Sequence, residues 1–138
     1  MKYLFSLAFG VFLSVGVNAQ SIKFTNGDTH DFGSVPCGPD AIYEYEFTNT
    51  GAAPLIIQKC AGSCSCTKPT CPTQPIMPGQ KGKINVHFET KDKDGAFNKS
   101  VFIKCNATNV NPNVGQYEIF LKGNVVKKGL KAVKKSKH

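Results

Sequence analysis

The sequence predicts an all-β fold, an immunoglobulin-like antiparallel β-sandwich of about seven strands. Three observations point to it. Apolar and polar residues alternate along most of the chain, which puts one face of an extended strand in the core and the other in water. Clusters of turn-forming residues separate those runs. The 138 residues include ten Phe, four Tyr, 13 Gly and eight Pro, a mixture that favours strands and turns over long helices. With 41% apolar and 19% charged residues, there is material for a real core and too little charge for a disordered chain. Length and composition together exclude a multi-domain enzyme, a multi-span membrane protein and a nucleotide-binding α/β fold.

In chain order, residues 1–19 read as a cleavable export signal rather than as structure. Lys2 gives a positive start, Leu4 to Val17 is nearly all apolar, and Val17-Asn18-Ala19 supplies the cleavage positions. The run is shorter than the roughly 20 residues a spanning helix needs. No cysteine follows the cleavage site, so a lipoprotein is not predicted. The predicted location is the periplasm or the exterior, where thiols oxidise.

Residues 20–126 form the predicted domain. Ile22 and Phe24 open it, followed by Tyr43, Tyr45 and Phe47 alternating with Glu44 and Glu46. Ile84, Val86 and Phe88 repeat the pattern, as do Val101, Ile103 and Cys105, and Tyr117, Ile119 and Leu121. Residues 54–60 add a short apolar run. Asn26-Gly27-Asp28, Gly38-Pro39-Asp40, Asn49-Thr50-Gly51, Pro78-Gly79-Gln80 and Asp92 to Gly95 break the pattern as turns. The stretch 61–80 carries four Pro and three Cys, and reads as a loop or an irregular edge strand.

The last segment, residues 127–138, is basic. Lys127, Lys128, Lys131, Lys134, Lys135 and Lys137 occur there with no acidic residue, and account for most of the net charge of +8. Two roles fit: a solvated tail, or attraction to an anionic membrane surface or acidic partner at about 1 kcal/mol per lysine. The chain contains no Arg for bidentate base contacts, so nucleic acid is not an expected partner.

Six cysteines in a small exported domain suggest disulfides. Cys60, Cys64, Cys66 and Cys71 crowd together, while Cys37 and Cys105 lie apart. Two or three bridges would staple the irregular segment to the sheet, and one from Cys37 into the 60–71 cluster is reasonable. Cys105 shares a face with Ile103 and suits either a buried thiol or a core bridge. A sharper alternative makes Cys64 and Cys66 a copper or zinc site, or a thiol-redox pair. Neither pattern is specific, because no His or Met stands at ligand spacing and no Cys-x-x-Cys opens a helix. There is no nucleophile elbow, HExxH or phosphate loop. His30, His87 and His138 make no triad, and Asp28 and Asp31 have no evident acid–base partner. No enzyme activity and no cofactor are expected. Asn98-Lys99-Ser100 and Asn106-Ala107-Thr108 match the glycosylation pattern, which matters only in a host with that machinery.

The motifs also have an order: His30-Asp31-Phe32-Gly33, Phe47-Thr48-Asn49-Thr50-Gly51, Pro54-Leu55-Ile56-Ile57, Cys64-Ser65-Cys66-Thr67, Pro75 to Gly79, Gly95 to Lys99, Asn106 to Asn109 and Leu121-Lys122-Gly123. In this order they resemble the bacterial domain-of-unknown-function family 1573, common in Bacteroidota, over about residues 22–126. The resemblance implies an exported sandwich similar to chaperone-pilin and major-sperm-protein domains, with no catalytic residues to carry over. Its Cys-x-Cys-Thr element matches Cys64, Cys66 and Thr67, whereas Cys37, Cys60, Cys71, Cys105 and the basic tail depart from its pattern. Gly33 and Gly51 fall where turns need positive φ, Asn49 and Thr50 where a corner needs side-chain bonds, and Phe47, Leu55, Val86, Val101 and Ile119 in the core. The implied function is a non-catalytic binding or assembly module of the cell envelope. It would recruit a protein partner by strand addition, with the 61–80 segment as a contact loop and the tail as an electrostatic anchor.

Overall fold

A computed structural model describes residues 20–111 and 113–127. The predicted signal segment and all the tail lysines except Lys127 lie outside the described residues. Eight strands are formed: β1 (Ile22–Phe24), β2 (Thr29–Pro36), β3 (Ala41–Asn49), β4 (Ile57–Gly62), β5 (Thr67–Thr70), β6 (Lys81–Phe88), β7 (Gly95–Cys105) and β8 (Gln116–Val126). They make two four-stranded sheets, ordered β1-β3-β6-β5 and β2-β8-β7-β4. The inner faces meet in one core that contains Phe47, Leu55, Ile84, Val86, Phe88, Val101, Ile103, Ile119 and Leu121. The five predicted core residues are all at most 1% exposed, so the period-two alternation named the correct faces.

Two features differ from the expected architecture. The turn-rich segment after Phe24 is a strand, β2, whose residues are exposed or half-buried; without a fully buried face it gives a weak alternation signal. The sandwich is also not purely antiparallel. The chain leaves β1 in the first sheet, passes residues 25–28 and enters the second sheet, where β2 pairs parallel to β8. The register shifts between Asp31 and Ser34, where the Gly33 N–H donates to Asp31 Oδ1 at 2.8 Å with Gly33 at φ 64°. A side chain there would be strained, so this glycine makes the bulge possible. Gly51 is not among the positive-φ residues; its N–H instead donates to Asn49 Oδ1 at 2.9 Å. The irregular 61–80 segment contains the end of β4, all of β5 and a bridge that pairs Ile76 with Leu55.

Asparagine side chains close the corners. Asn49 is fully buried, and its Nδ2 donates to the carbonyls of Ala53 and Ile76, both at 2.8 Å. Its backbone N–H donates to Gln80 O, and its carbonyl accepts from Gly79 N. One side chain thus ties the corner after β3 to the segment before β6. Burying that amide is tolerable because every polar atom on it has a partner. Asn109 Oδ1 accepts from Ile22 N at 3.0 Å and its Nδ2 donates to Ile22 O at 2.7 Å, supplying the outer edge of β1 with a substitute ladder. Replacing Asn49 with Ala should lower stability by about 3 kcal/mol, since three hydrogen bonds to backbone are lost, Ile76 O keeping only that from Leu55 N–H, and a cavity remains. Urea unfolding followed by circular dichroism measures it; a loss below about 1 kcal/mol would show that the corner is held by other contacts.

Candidate functional site

The four clustered cysteines lie on and just beyond a hairpin whose two legs belong to different sheets. β4 is the edge of the second sheet and β5 the edge of the first, so the chain crosses between layers at residues 63–66. Cys60 pairs in register with buried Ile103, and its sulfur bonds to that of Cys71 just past β5, with a Cα–Cα distance of 6.4 Å. The legs touch at Gly62, where a Cβ would stand 2.1 Å from the Thr67 carbonyl oxygen. Glycine is required there by the close approach of backbone to backbone.

Cys64 and Cys66 form a second disulfide at the tip, with Cα atoms 5.2 Å apart and exposed Ser65 between them. The tip is also fixed by its backbone. Thr67 N–H donates to Cys64 O at 3.1 Å, Glu89 N–H to Cys66 O at 2.8 Å, and Ser63 N–H to Ser100 O at 2.8 Å. Thr67 is buried, and its Oγ1 stands 3.4 Å from Cys64 Sγ and 3.9 Å from Cys66 Sγ. The two bridges differ in consequence. Loop-closure entropy assigns about 3 kcal/mol to a bridge closing residues 60–71, and about half that to one spanning a single residue.

Cys37 and Cys105 are free thiols. The expected bridge from Cys37 into the 60–71 cluster does not form. Ala41 and Thr67 flank Phe88 on opposite sides, so β6 stands between the Cys37 segment and β5. Two strand spacings are roughly 10 Å, beyond the reach of a disulfide. Cys37 Sγ instead donates to Thr90 O at 3.3 Å, and the buried Thr90 hydroxyl accepts from Gly38 N at 2.9 Å and contacts Pro39 O at 2.7 Å. Cys105 is the buried thiol, not a core bridge, and its burial pushes the thiol pKa up. While bonded to each other, the Cys64 and Cys66 sulfurs offer no thiolate to the metal ion that the alternative reading placed there. Among the described residues, no group of three His, Cys, Asp or Glu is placed to hold a metal ion.

The opposite side of the sandwich carries a different feature. β1 pairs with β3 only at Phe47, Thr48 and Asn49, and Thr25 N–H extends the contact to Glu46 O at 2.9 Å. Below that point Ala41–Tyr45 pairs with β6 on one side and, among the described residues, with no strand on the other. The Thr25–Glu46 bond fixes the parity: the even-numbered Ile42 and Glu44 aim their N–H and C=O groups at the open side. Ile42 is 55% exposed. Beside this edge His30 stacks on Tyr43 at 3.5 Å and 8°, and Phe32 meets the His30 ring edge-on at 4.6 Å. Burial lowers the His30 pKa, with a smaller opposing effect from Asp31. Tyr45 lies deeper and donates its hydroxyl to Phe120 O at 2.7 Å. The other edges are blunted. Asn109 covers β1, β2 and β4 carry register shifts, and the four-residue β5 contains Pro69. Lys127 is exposed at the end of the described chain.

Sequence reasoning missed the Thr67 hydroxyl, the Thr90 junction and the His30–Tyr43 stack. Thr67 was available as part of the Cys-x-Cys-Thr element. The other two depend on which strands become neighbours, which local periodicity does not encode.

Two packed sheets with this strand order define an immunoglobulin-like, PapD-like sandwich. The model of the family described as "Protein of unknown function (DUF1573)" matches residues 22–125, and the chain belongs to that family. It is similar in structure to a protein of unknown function from Porphyromonas gingivalis W83, with a TM-score of 0.63 and 16% identity, over 83% of this chain and 51% of that one. It therefore spans about half of the Porphyromonas protein. It is also similar to the ASH / PapD-like domain 7 of human CEP192, with a TM-score of 0.61 and 9% identity, over 89% of this chain and 97% of that one. The secreted serine protease VesC from Vibrio cholerae is similar over 79% of this chain but 23% of its own, with a TM-score of 0.54 and 13% identity. These identities show a shared fold and nothing finer. No curated protein matches the chain.

Two outcomes follow from the geometry. Exchanging Cys60 and Cys71 for Ser should cost about 3 kcal/mol in urea unfolding, and exchanging Cys64 and Cys66 about half as much; equal losses would place the two bridges in one structural class. His30 has a folded-state pKa below its ordinary 6.5, so the unfolded chain binds its proton first as pH falls. Stability should therefore drop as pH descends through 6.5 and level off below the folded-state pKa. The difference in stability between wild type and His30→Phe should change across that window; a constant difference would contradict the assignment.

Proposed function

We propose that this protein is an exported, non-catalytic binding or assembly module of the bacterial cell envelope, which takes a strand from a protein partner onto the open edge of β3. The carrying observation is the segment Ala41–Tyr45, which among the described residues pairs on one side only, so that Ile42 and Glu44 present main-chain donors and acceptors beside the exposed Ile42 side chain. An incoming extended segment would satisfy those groups, while Ile42 and the rim of His30, Phe32 and Tyr43 would receive its side chains. Two disulfides in a domain of this size support life in an oxidising compartment, in keeping with the predicted export signal. The tail lysines Lys127, Lys128, Lys131, Lys134, Lys135 and Lys137 would add salt-sensitive attraction to an anionic surface or acidic partner.

Hydrogen exchange tests the edge directly. In the free protein the Ile42 and Glu44 amides should exchange much faster than those of Tyr43 and Tyr45, which face β6, and partner capture from envelope extract should slow them. Glu44→Pro removes an outward N–H while sparing the β6 ladder, so it should leave the melting temperature nearly unchanged and abolish capture. Retained capture by a folded Glu44→Pro variant, or Ile42 and Glu44 amides already protected in the free protein, would refute strand addition here.

A further inference from the structure

The environment of the Cys64–Cys66 bridge favours its reduced form. Thr67 is buried, and the hydrogen-bond partners found for its hydroxyl among the described residues are both sulfurs, with Cys64 Sγ the nearer at 3.4 Å against 3.9 Å. A buried hydroxyl needs an acceptor. A disulfide sulfur is a weak one, whereas a thiolate carries a full charge and binds a donor about twice as strongly as a neutral group does. The same hydroxyl is therefore poorly satisfied while the bridge is closed and well satisfied once Cys64 is a thiolate. Stabilising the reduced form makes a disulfide a stronger oxidant.

The surroundings let the bridge open without the hairpin opening. The Thr67–Cys64, Glu89–Cys66 and Ser63–Ser100 backbone bonds hold the tip, and Cys60–Cys71 clamps its base. The two sulfurs would stay placed to close again. Ser65 between them is exposed, and both cysteines keep part of their surface in solvent, Cys66 also packing against the core. The Lys68 ammonium, 3.5 Å from Glu89, leaves the adjoining surface without a net negative charge to repel an attacking thiolate.

We infer that Cys64 and Cys66 form a thiol–disulfide exchange site that accepts electrons from a dithiol on another polypeptide. One substrate thiolate attacks Cys66 Sγ. The Cys64–Cys66 bond breaks, and Cys64 leaves as a thiolate held by the Thr67 hydroxyl. The mixed disulfide joins Cys66 to the substrate. The second substrate thiolate then attacks the substrate sulfur of that bond and expels Cys66. Two electrons pass from the substrate to the protein, the substrate closes its own disulfide, and its two protons end on Cys64 and Cys66 through solvent. The site lies at the β4/β5 edge, away from the open edge of β3, so it stands or falls apart from strand addition.

The test uses the full chain in graded glutathione buffers, with each cysteine counted by alkylation and peptide mass spectrometry, and a reduced dithiol peptide as substrate. Cys64–Cys66 should be reduced under conditions at least about tenfold less reducing than Cys60–Cys71 requires, and the oxidised protein should convert the peptide to its disulfide. Thr67→Val should shift the Cys64–Cys66 equilibrium about fivefold toward the disulfide, with Thr67→Ser restoring it and Cys60–Cys71 unmoved. In Cys64→Ser, Cys66 should be trapped as a mixed disulfide with a single-cysteine peptide supplied as its thionitrobenzoate disulfide, which has no second thiol to expel it. The proposal is overturned if the native protein reduces both bridges together, if the pair resists reduction until the chain unfolds, or if a folded Thr67→Val leaves the equilibrium unchanged. Should Thr67→Val fail to fold, the comparison of the two bridges in the native protein still decides.

Discussion

The crossing of the chain from one sheet to the other at the β4–β5 hairpin is the constraint on which the remaining structure depends. A hairpin normally keeps both strands in one sheet, where ladder bonds hold the legs together. Here the legs bond to different neighbours, β7 and β6, so something else must join them. The Cys60–Cys71 bridge does so, and Gly62 lets the backbones meet against Thr67. This side is closed covalently. The 61–80 segment, with Pro69, Pro72, Pro75 and Pro78, cannot form a long regular ladder, and the bridge compensates for the ladder bonds it lacks.

The opposite side is closed without covalent help and only in part. β1 is three residues long because the chain then departs for the second sheet as β2. What remains of the β3 edge is covered by rings rather than by a strand: His30 and Phe32 from β2 lie against Tyr43. Aromatic contacts bury apolar surface but satisfy no peptide groups, so the Ile42 and Glu44 main chain is left for water or for a partner. Side-chain amides manage the corners and the β1 edge. Asn49, Asn106 and Asn109 each offer a donor and an acceptor in one planar group, as a peptide unit does, and each bonds to main chain.

Much of this was legible in the sequence. Phe47, Val86, Val101 and Ile119 announce their burial through alternation, and Asn49 its corner role through turn chemistry. β2 was not, because Thr29–Pro36 has no fully buried residue and contains both Gly33 and Pro36. Its parallel pairing was beyond reach for another reason: pairing direction follows from which sheet the chain enters, a property of the whole path. The cysteine pairing was illegible for the same cause. The Cys37 loop and the cluster lie at one end of the sandwich, at Thr90 and Glu89, but β6 runs between them, and strand order is invisible to local pattern. The paired sulfurs of Cys64 and Cys66 could be read as neighbours from their spacing, yet the burial of the Thr67 hydroxyl against them needed the fold.

The placement of the four remaining sulfur environments bears on whether a reactive pair could coexist with free thiols in one small domain. Exchange requires a thiolate and access to a sulfur. Cys105 lacks both, since it is buried beside Ile103 and desolvation holds it protonated. Cys37 is half-buried, and its S–H is engaged by the Thr90 carbonyl, on the far side of β6 from the hairpin tip. Cys60–Cys71 is half-buried in a cleft with Pro69 and Pro72, and ties together two strands that belong to different sheets. Each free thiol is thus held back, Cys105 by burial and Cys37 by a hydrogen bond. Reshuffling started by the chain's own free thiols is thereby disfavoured, and the proposed exchange would take place at the hairpin tip, where backbone bonds also hold the segment that carries the two sulfurs.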